Sequence, residues 1–215
     1  MFRPRNTLLE AALAYATAGI AVRPAYTLVR APARHDAFGR WICSCGDLLC
    51  DAPGEHLAAE SGWTTDLHQV AATWPETPPN LLITSGERVS FWRVPRVSGA
   101  EGLRLFEQLR PGPWPAHLKL PSGEWLVATL PPAGDIELPT GVVHLEPGVP
   151  VLAPPSRRLP TKSGLLGLST RTRWLQASGF PRTPLPTAED VLRLVGRAEL
   201  ERIELLSGIR TVDVV

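Results

Sequence analysis

The stretch from Trp41 to His56, WICSCGDLLCDAPGEH, holds every cysteine of the chain, Cys43, Cys45 and Cys50, and closes on a histidine. Thiols confined to eight positions constrain folding more than any other feature here, because they can draw a polar loop to a single point. Cys43-Ser-Cys45-Gly sets two sulfurs on either side of a tight turn. Cys50 and His56 can return to the same point after the Asp47-Leu-Leu and Asp51-Ala-Pro-Gly segments. The pattern C-x-C-x4-C-x5-H is a Cys3His set compatible with tetrahedral zinc. His35, Asp47 and Asp51 are alternatives to His56 as the fourth ligand. A disulfide is the poorer reading in a reducing compartment, and three cysteines would leave one unpaired. Four protein ligands close the coordination sphere, so the expected zinc is structural and pins a loop too polar to pack by itself.

Around that loop, 215 residues with 44% hydrophobic content are enough for a real core in one large domain or two small ones. The net charge of +1 gives no global field to attract nucleic acid or a membrane, so any basic surface has to be local. Twenty of the twenty-two basic residues are arginines, a bias that fits a GC-rich bacterial genome first and phosphate recognition second. The N-terminal apolar run after Arg3 and Arg5 has the outline of a signal peptide, but Glu10 falls in its middle. Thr7-Leu-Leu-Glu10 reads instead as a capping box opening a helix with Leu8, Ala11, Ala12 and Tyr15 on one face. No other segment approaches the roughly 20 apolar residues of a membrane span. The expectation is a cytoplasmic protein with no membrane partner.

Beyond the first helix, Gly19 is a stop and Ala21 to Pro24 a short strand leading into the cysteine loop, which reads as an insertion at about 35–57. Thr64-Thr-Asp66 caps a helix from Leu67 to Trp74. Leu81 to Thr84 and Val89 to Val94 read as strands around Ser85-Gly86, followed by a helix from about Gly99 to Leu109. His117 to Leu120 and Trp125 to Leu130 form a hairpin pattern across Pro121-Ser-Gly123. Short strands are expected at Val142 to Leu145, Val151 to Ala153 and Arg173 to Leu175. Residues 179–186 make a Pro-rich linker. Thr187 then caps a peripheral helix carrying Val191, Leu194, Val195 and Ala198, which Gly208 ends, within a last segment 187–215. Strands and helices interleave without the steady alternation of a doubly wound sheet, so the fold class is α+β.

The order LLEAALAYATAGIAVRP, CSCG with a later Cys and PGEH, GW before a helix ending in WP, NLLITSG and VLAPPS resembles the N-terminal primase–polymerase (Prim-Pol) domain of the archaeo-eukaryotic primase superfamily, in its actinobacterial and plasmid or phage forms. The resemblance runs from about Thr7 to Trp174. It implies a Prim-Pol-like domain over 1–178: a small N-terminal α/β unit on a mixed sheet of the RNA-recognition-motif type, with the zinc loop at Cys43, Cys45, Cys50 and His56 inserted. In such polymerases carboxylates hold two divalent metals at the reacting phosphate. Where the resemblance places the acidic pair, the run Arg88 to Arg96 contains no Asp or Glu. Trp125 stands where the family has a nucleotide-contacting histidine, and Val143 where it has a third carboxylate. The expectation is therefore a protein that is not an enzyme, with no catalytic residues. Phe91, Trp92, Arg93, Trp125 and Val143 would then mark a former catalytic cleft. Glu87, Glu101, Glu124, Asp135, Glu137 and Glu146 are the acids near enough for a displaced site, and solvated surface charge is the plainer account of them.

Two roles suit such a domain. Arg157 to Ala188 carries Arg157, Arg158, Lys162, Arg171, Arg173 and Arg182 with no acid until Glu189, and Trp174 lies beside Arg173. Cations with an aromatic are the parts of a platform for single-stranded nucleic acid or nucleotide, with Arg157, Arg158, Lys162, Arg171, Arg173 and Trp174 as its contacts. The alternative is a protein partner docking on a cleft filled by Phe91, Trp92 and Trp125, or on the C-terminal helix and the apolar tail Val212 to Val215.

Overall fold

A computed structural model describes residues 7–31, 41–47, 49–58, 62–74, 79–109, 113–158, 170–175 and 180–207. Lys162, His35, Gly208 and the tail Val212 to Val215 lie outside the described residues. In chain order the first elements are α1 (Thr7–Thr17), β1 (Val22–Ala25), β2 (Leu28–Arg30), β3 (Trp41–Cys43), α2 (Leu67–Thr73) and β4 (Asn80–Ile83). There follow β5 (Ser90–Val94), α3 (Arg96–Leu109), β6 (Ala116–Lys119), β7 (Trp125–Thr129), β8 (Val143–Leu145), β9 (Val151–Leu152), β10 (Arg157–Arg158), β11 (Thr170–Arg171) and α4 (Ala188–Ser207). The fold is α+β. Every ladder among the described residues is antiparallel, where a mixed sheet was expected.

The chain divides into two compact units, each built from two chain segments: Met1–Arg88 with Glu146–Trp174, and Val89–Leu145 with Leu175–Val215. The strands β4 and β5, adjacent in sequence, thus belong to different sheets.

In the first unit β4 is the middle strand of the order β1-β4-β9, and all four of its residues are buried. That explains its unbroken Asn-Leu-Leu-Ile run, since a strand covered on both faces has no polar alternation. The helix α1 buries Ala12, Tyr15 and Ala16 and is closed by Gly19 at φ +76. Asp66 caps α2, its carboxylate accepting from the His68 and Gln69 N–H groups. The cysteine loop is less irregular than its composition suggests: β2 and β3 pair as a hairpin of their own, with Leu28 opposite Cys43 and Arg30 opposite Trp41. A second two-stranded ladder pairs β10 with β11, setting Arg157 opposite Arg171. Arg173 to Leu175, expected as a strand, holds only the bridge of Leu175 to His117, which belongs to the second unit.

In the second unit the sheet order is β6-β7-β5-β8. Trp92, Val94 and Val127 pack with Leu105 and Phe106 of α3 and with Val191, Leu192, Leu194 and Val195 of α4. The last helix is therefore a core element and not peripheral, capped by a box in which Thr187 donates to Asp190 and accepts from its N–H. The α3 helix starts at Arg96, earlier than its apolar spacing suggested, and uses its glycines for close approach. A Cβ at Gly99 would stand 2.7 Å from Trp125 Cδ1, and one at Gly102 2.8 Å from Val195 Cγ2.

Candidate metal centre and the basic ribbon beside it

Cys43 ends β3, and Gly46 at φ +87 turns the chain so that Cys45 faces back toward it. The Asp47 carboxylate accepts from Leu49 N–H and its carbonyl from Cys50 N–H, so the next turn returns Cys50. His56 is oriented from outside the loop: Tyr26 N–H donates to the His56 carbonyl at 3.1 Å, and the two rings lie 4.6 Å apart. The three sulfurs and a His56 ring nitrogen end within 4.8 Å of one another. His56 Nε2 is 3.1 Å from Cys43 Sγ and 3.4 Å from Cys50 Sγ. Tetrahedral zinc with bonds of about 2.0–2.3 Å needs donors spaced by roughly 3.3–3.8 Å, so the cluster can hold such an ion with small adjustments. It is the one group of three or more His, Cys, Asp or Glu donors this close among the described residues. Of the three alternative ligands, Asp47 is spent on the turn and Asp51 is not in the cluster.

The sulfur chemistry asks for a cation. Burial pushes the Cys50 thiol up to about 12, with Cys43 beside it adding to the shift, and burial raises Cys43 as well. At Cys45 burial is outweighed by the Asp47 backbone donor and the neighbouring thiols, and its pKa falls. A metal ion replaces the protons and removes the repulsion among three thiolates. Gly54 N–H donates to Cys43 Sγ at 3.4 Å, an outer contact of the kind that would steady this sulfur as a ligand.

The loop is tied to the sheet by a residue that composition did not single out. Asn80, fully buried at the start of β4, donates to the Gly54 carbonyl at 2.8 Å and to the Arg157 carbonyl at 2.7 Å, and accepts from Arg157 N–H at 3.0 Å. Gly54 itself sits at φ +79, where any other residue is strained, and a Cβ there would meet Asn80, Leu28 and the Arg157 carbonyl at 3.0–3.3 Å. Ser156 holds the other side of the same strand, accepting from Leu81 N–H at 2.8 Å. Two stretches that carried the sequence resemblance, Asn80 to Gly86 and Ala153 to Ser156, thus contribute buried polar ties.

The basic residues divide by surroundings. Arg158 faces Glu55 of the metal loop; burial lowers the first and raises the second, and each charge opposes the other's shift. Arg173 is exposed. Trp174 is half-buried, its indole N–H donating to the Tyr15 hydroxyl at 2.6 Å, and burial pushes that phenol up. Trp41 has two cationic neighbours, with Arg30 Cζ 4.4 Å and Arg157 Cζ 5.3 Å from its ring centroid. Neither Arg30 nor Trp41 was predicted as a site. The signal lay in Trp41 standing two positions before Cys43, which puts both on one face of a strand.

In the second unit the five residues expected to line a former cleft fall on two faces of one sheet. Phe91 and Arg93 alternate with Trp92, and Val143 pairs directly with Arg93. Trp92 turns to the helices, donating to Thr129 Oγ1 at 2.8 Å and stacking on His144. Trp125 lies on that side too, its N–H donating to the Arg96 carbonyl. Arg93 pairs with Glu124 at 3.4 Å, Glu101 pairs with Arg104, and Asp135 and Glu137 are exposed. No described helix is long and apolar enough to cross a membrane.

No protein-family model, no curated protein and no solved structure matches the chain.

Proposed function

We propose that this chain is a zinc-stapled, non-polymerising protein of the primase–polymerase type that binds single-stranded nucleic acid through the basic ribbon beside its metal loop. The observation that carries this reading is the attachment of that ribbon. Arg157 stands opposite Arg171 in β10–β11, and Asn80 ties the Arg157 backbone to the metal loop. Cations carried on a paired backbone ladder contact phosphates at less entropic cost than cations on a free loop. The Cys3His donor set supports zinc as the resident ion, because thiolates with imidazole in a closed four-ligand set suit that metal. The four-stranded antiparallel sheet with α3 and α4 against one face supports the layout of the RNA-recognition-motif type. The absence of acids from Arg88 to Arg96 and the valine at position 143 support a protein that makes no phosphodiester bonds.

The test is anisotropy of a labelled single-stranded oligonucleotide over a salt series. Binding at low salt with a negative slope of log affinity against log salt is expected. Arg173→Ala should make that slope shallower by somewhat less than one unit. A second reading, docking of a protein partner, is favoured by the end of α4, where Leu200, Ile203, Leu205 and Leu206 are all exposed. Failure of the protein to bind any nucleic acid above a neutral control would turn the assignment to that surface.

A further inference from the structure

We infer that Cys45 and Cys50 are a site of oxidative modification, at which a hydroperoxide joins the two in a disulfide and the metal loop loses its ion. The effect on the ion rests on the zinc assignment, whereas the bond rests only on where the three sulfurs stand.

The cluster is not symmetric toward solvent. Cys43 is 2% exposed, ends β3, and lies 3.1 Å from His56 Nε2. It is held by its pairing with Leu28 in the β2–β3 ladder and by the Gly54 N–H on its sulfur. Cys45 and Cys50 are both part-exposed, and the Cys45 thiol is in contact with the other two. All three sulfurs are within 4.8 Å of one another. An oxidant arriving from solvent therefore meets Cys45 and Cys50 before Cys43, and each of the exposed pair has the other as a thiol within reach. The chain between them offers little resistance to a final approach. Gly46 and Asp47 are exposed, Leu49 is 87% exposed, and a Cβ at Gly46 would meet nothing within 4 Å.

Zinc coordination keeps a thiol deprotonated, and the thiolate is the form that a hydroperoxide oxidises. With hydrogen peroxide as oxidant, the sulfur of one exposed thiolate attacks a peroxide oxygen. The O–O bond breaks, hydroxide leaves, and a sulfenic acid stands on that cysteine. The other thiolate then attacks the sulfenic sulfur, so that the S–S bond forms, the S–O bond breaks and a second hydroxide leaves. Two electrons pass from the sulfurs to the peroxide, and protons from solvent turn both hydroxides into water. Cys43 and His56 remain, two donors where a closed zinc site needs four, and the ion departs. A dithiol reductant reverses the bond by exchange and restores the full donor set.

The experiment uses the full chain, with its zinc content measured first. Hydrogen peroxide is added in small stoichiometric excess and removed with catalase, free thiols are alkylated, and chymotryptic peptides cut at Leu49 are mapped by tandem mass spectrometry. A chromophoric chelator reads the ion released. The Cys45–Cys50 bond with Cys43 alkylated is expected, zinc release should match the bond one for one, and dithiothreitol followed by added zinc should restore the starting content. A predominant bond to Cys43, or oxidation to sulfinic acid with no bond, overturns the pairing. A Cys45–Cys50 bond in protein that keeps its zinc overturns the loss of the ion. Protein that holds no zinc yet forms the Cys45–Cys50 bond overturns the metal assignment and leaves the oxidation site standing. Zinc-loaded protein in which all three thiols are still alkylated after peroxide does the reverse.

Discussion

Replacing Asn80 with leucine tests whether a single buried amide seats the metal loop. The side chains are similar in volume, so the cavity contribution is small and the change is one of hydrogen bonding. Besides a long 3.5 Å contact from the Thr27 hydroxyl, three contacts are lost, at 2.8, 2.7 and 3.0 Å, leaving the carbonyls of Gly54 and Arg157 and the N–H of Arg157 without this partner. Each such buried group costs about 1–3 kcal/mol. With one of the three regaining a water, the loss should be about 3–5 kcal/mol. For a chain of this length that lowers Tm by roughly 10 °C. Because Gly54 also donates to Cys43 Sγ, zinc should transfer to a chelator more readily, with affinity reduced about 10- to 100-fold as for other outer contacts of metal ligands. Urea unfolding followed by circular dichroism gives the first quantity, and competition with a chromophoric chelator the second. A loss below about 1 kcal/mol together with unchanged zinc affinity would refute the reasoning, since the loop would then be held by the metal alone.

Metal analysis of protein purified without chelator should find one zinc per chain, lowered by Cys45→Ser; less than about half an equivalent with all thiols titratable would contradict the assignment. Since burial holds the Cys43 and Cys50 thiols high, zinc uptake should release protons and zinc affinity should fall as pH is lowered, which calorimetry in buffers of different ionisation enthalpy will measure. His117 is buried, and burial lowers its pKa below the ordinary 6.5, with its ring held to the Pro115 carbonyl at 3.0 Å. The unfolded chain therefore binds this proton first, so the stability it confers is complete above pH 6.5 and is lost as pH falls below that value toward the folded pKa. His117→Gln should flatten the dependence of urea midpoint on pH over that range.

The residues that announced themselves in the sequence were those whose chemistry is local. Three thiols and a histidine at short spacings can converge whatever surrounds them, and Thr187 with Asp190 or Asp66 before α2 cap helices through their own neighbours. Hidden features depend on partners distant in sequence. Asn80, one position before the strand expected from Leu81, gave no sign of its role because its partners Thr27, Gly54 and Arg157 lie 53, 26 and 77 positions away. The β2–β3 hairpin was hidden by its composition: Leu28 to Arg30 and Trp41 to Cys43 are too short to show a period-two pattern. Trp174, read as a stacking platform beside basic residues, has its indole N–H directed to Tyr15, 159 positions earlier. A linear charge pattern cannot register such a tie.

The substitutions read as a lost catalytic site have separate physical explanations in the second unit. Trp92 belongs to the layer between sheet and helices, with its N–H satisfied by Thr129, so its bulk answers to α3 and α4. Trp125 answers to Gly99, whose missing Cβ is what lets the indole lie against the start of α3 and donate to Arg96. Neither needs a vanished active site to account for it. Val143 is different. It is 40% exposed, and its neighbour across the ladder is Arg93, itself paired with Glu124. A carboxylate at position 143 would therefore meet a guanidinium that already has an acidic partner, forming an ion-pair network in place of a metal-binding pair.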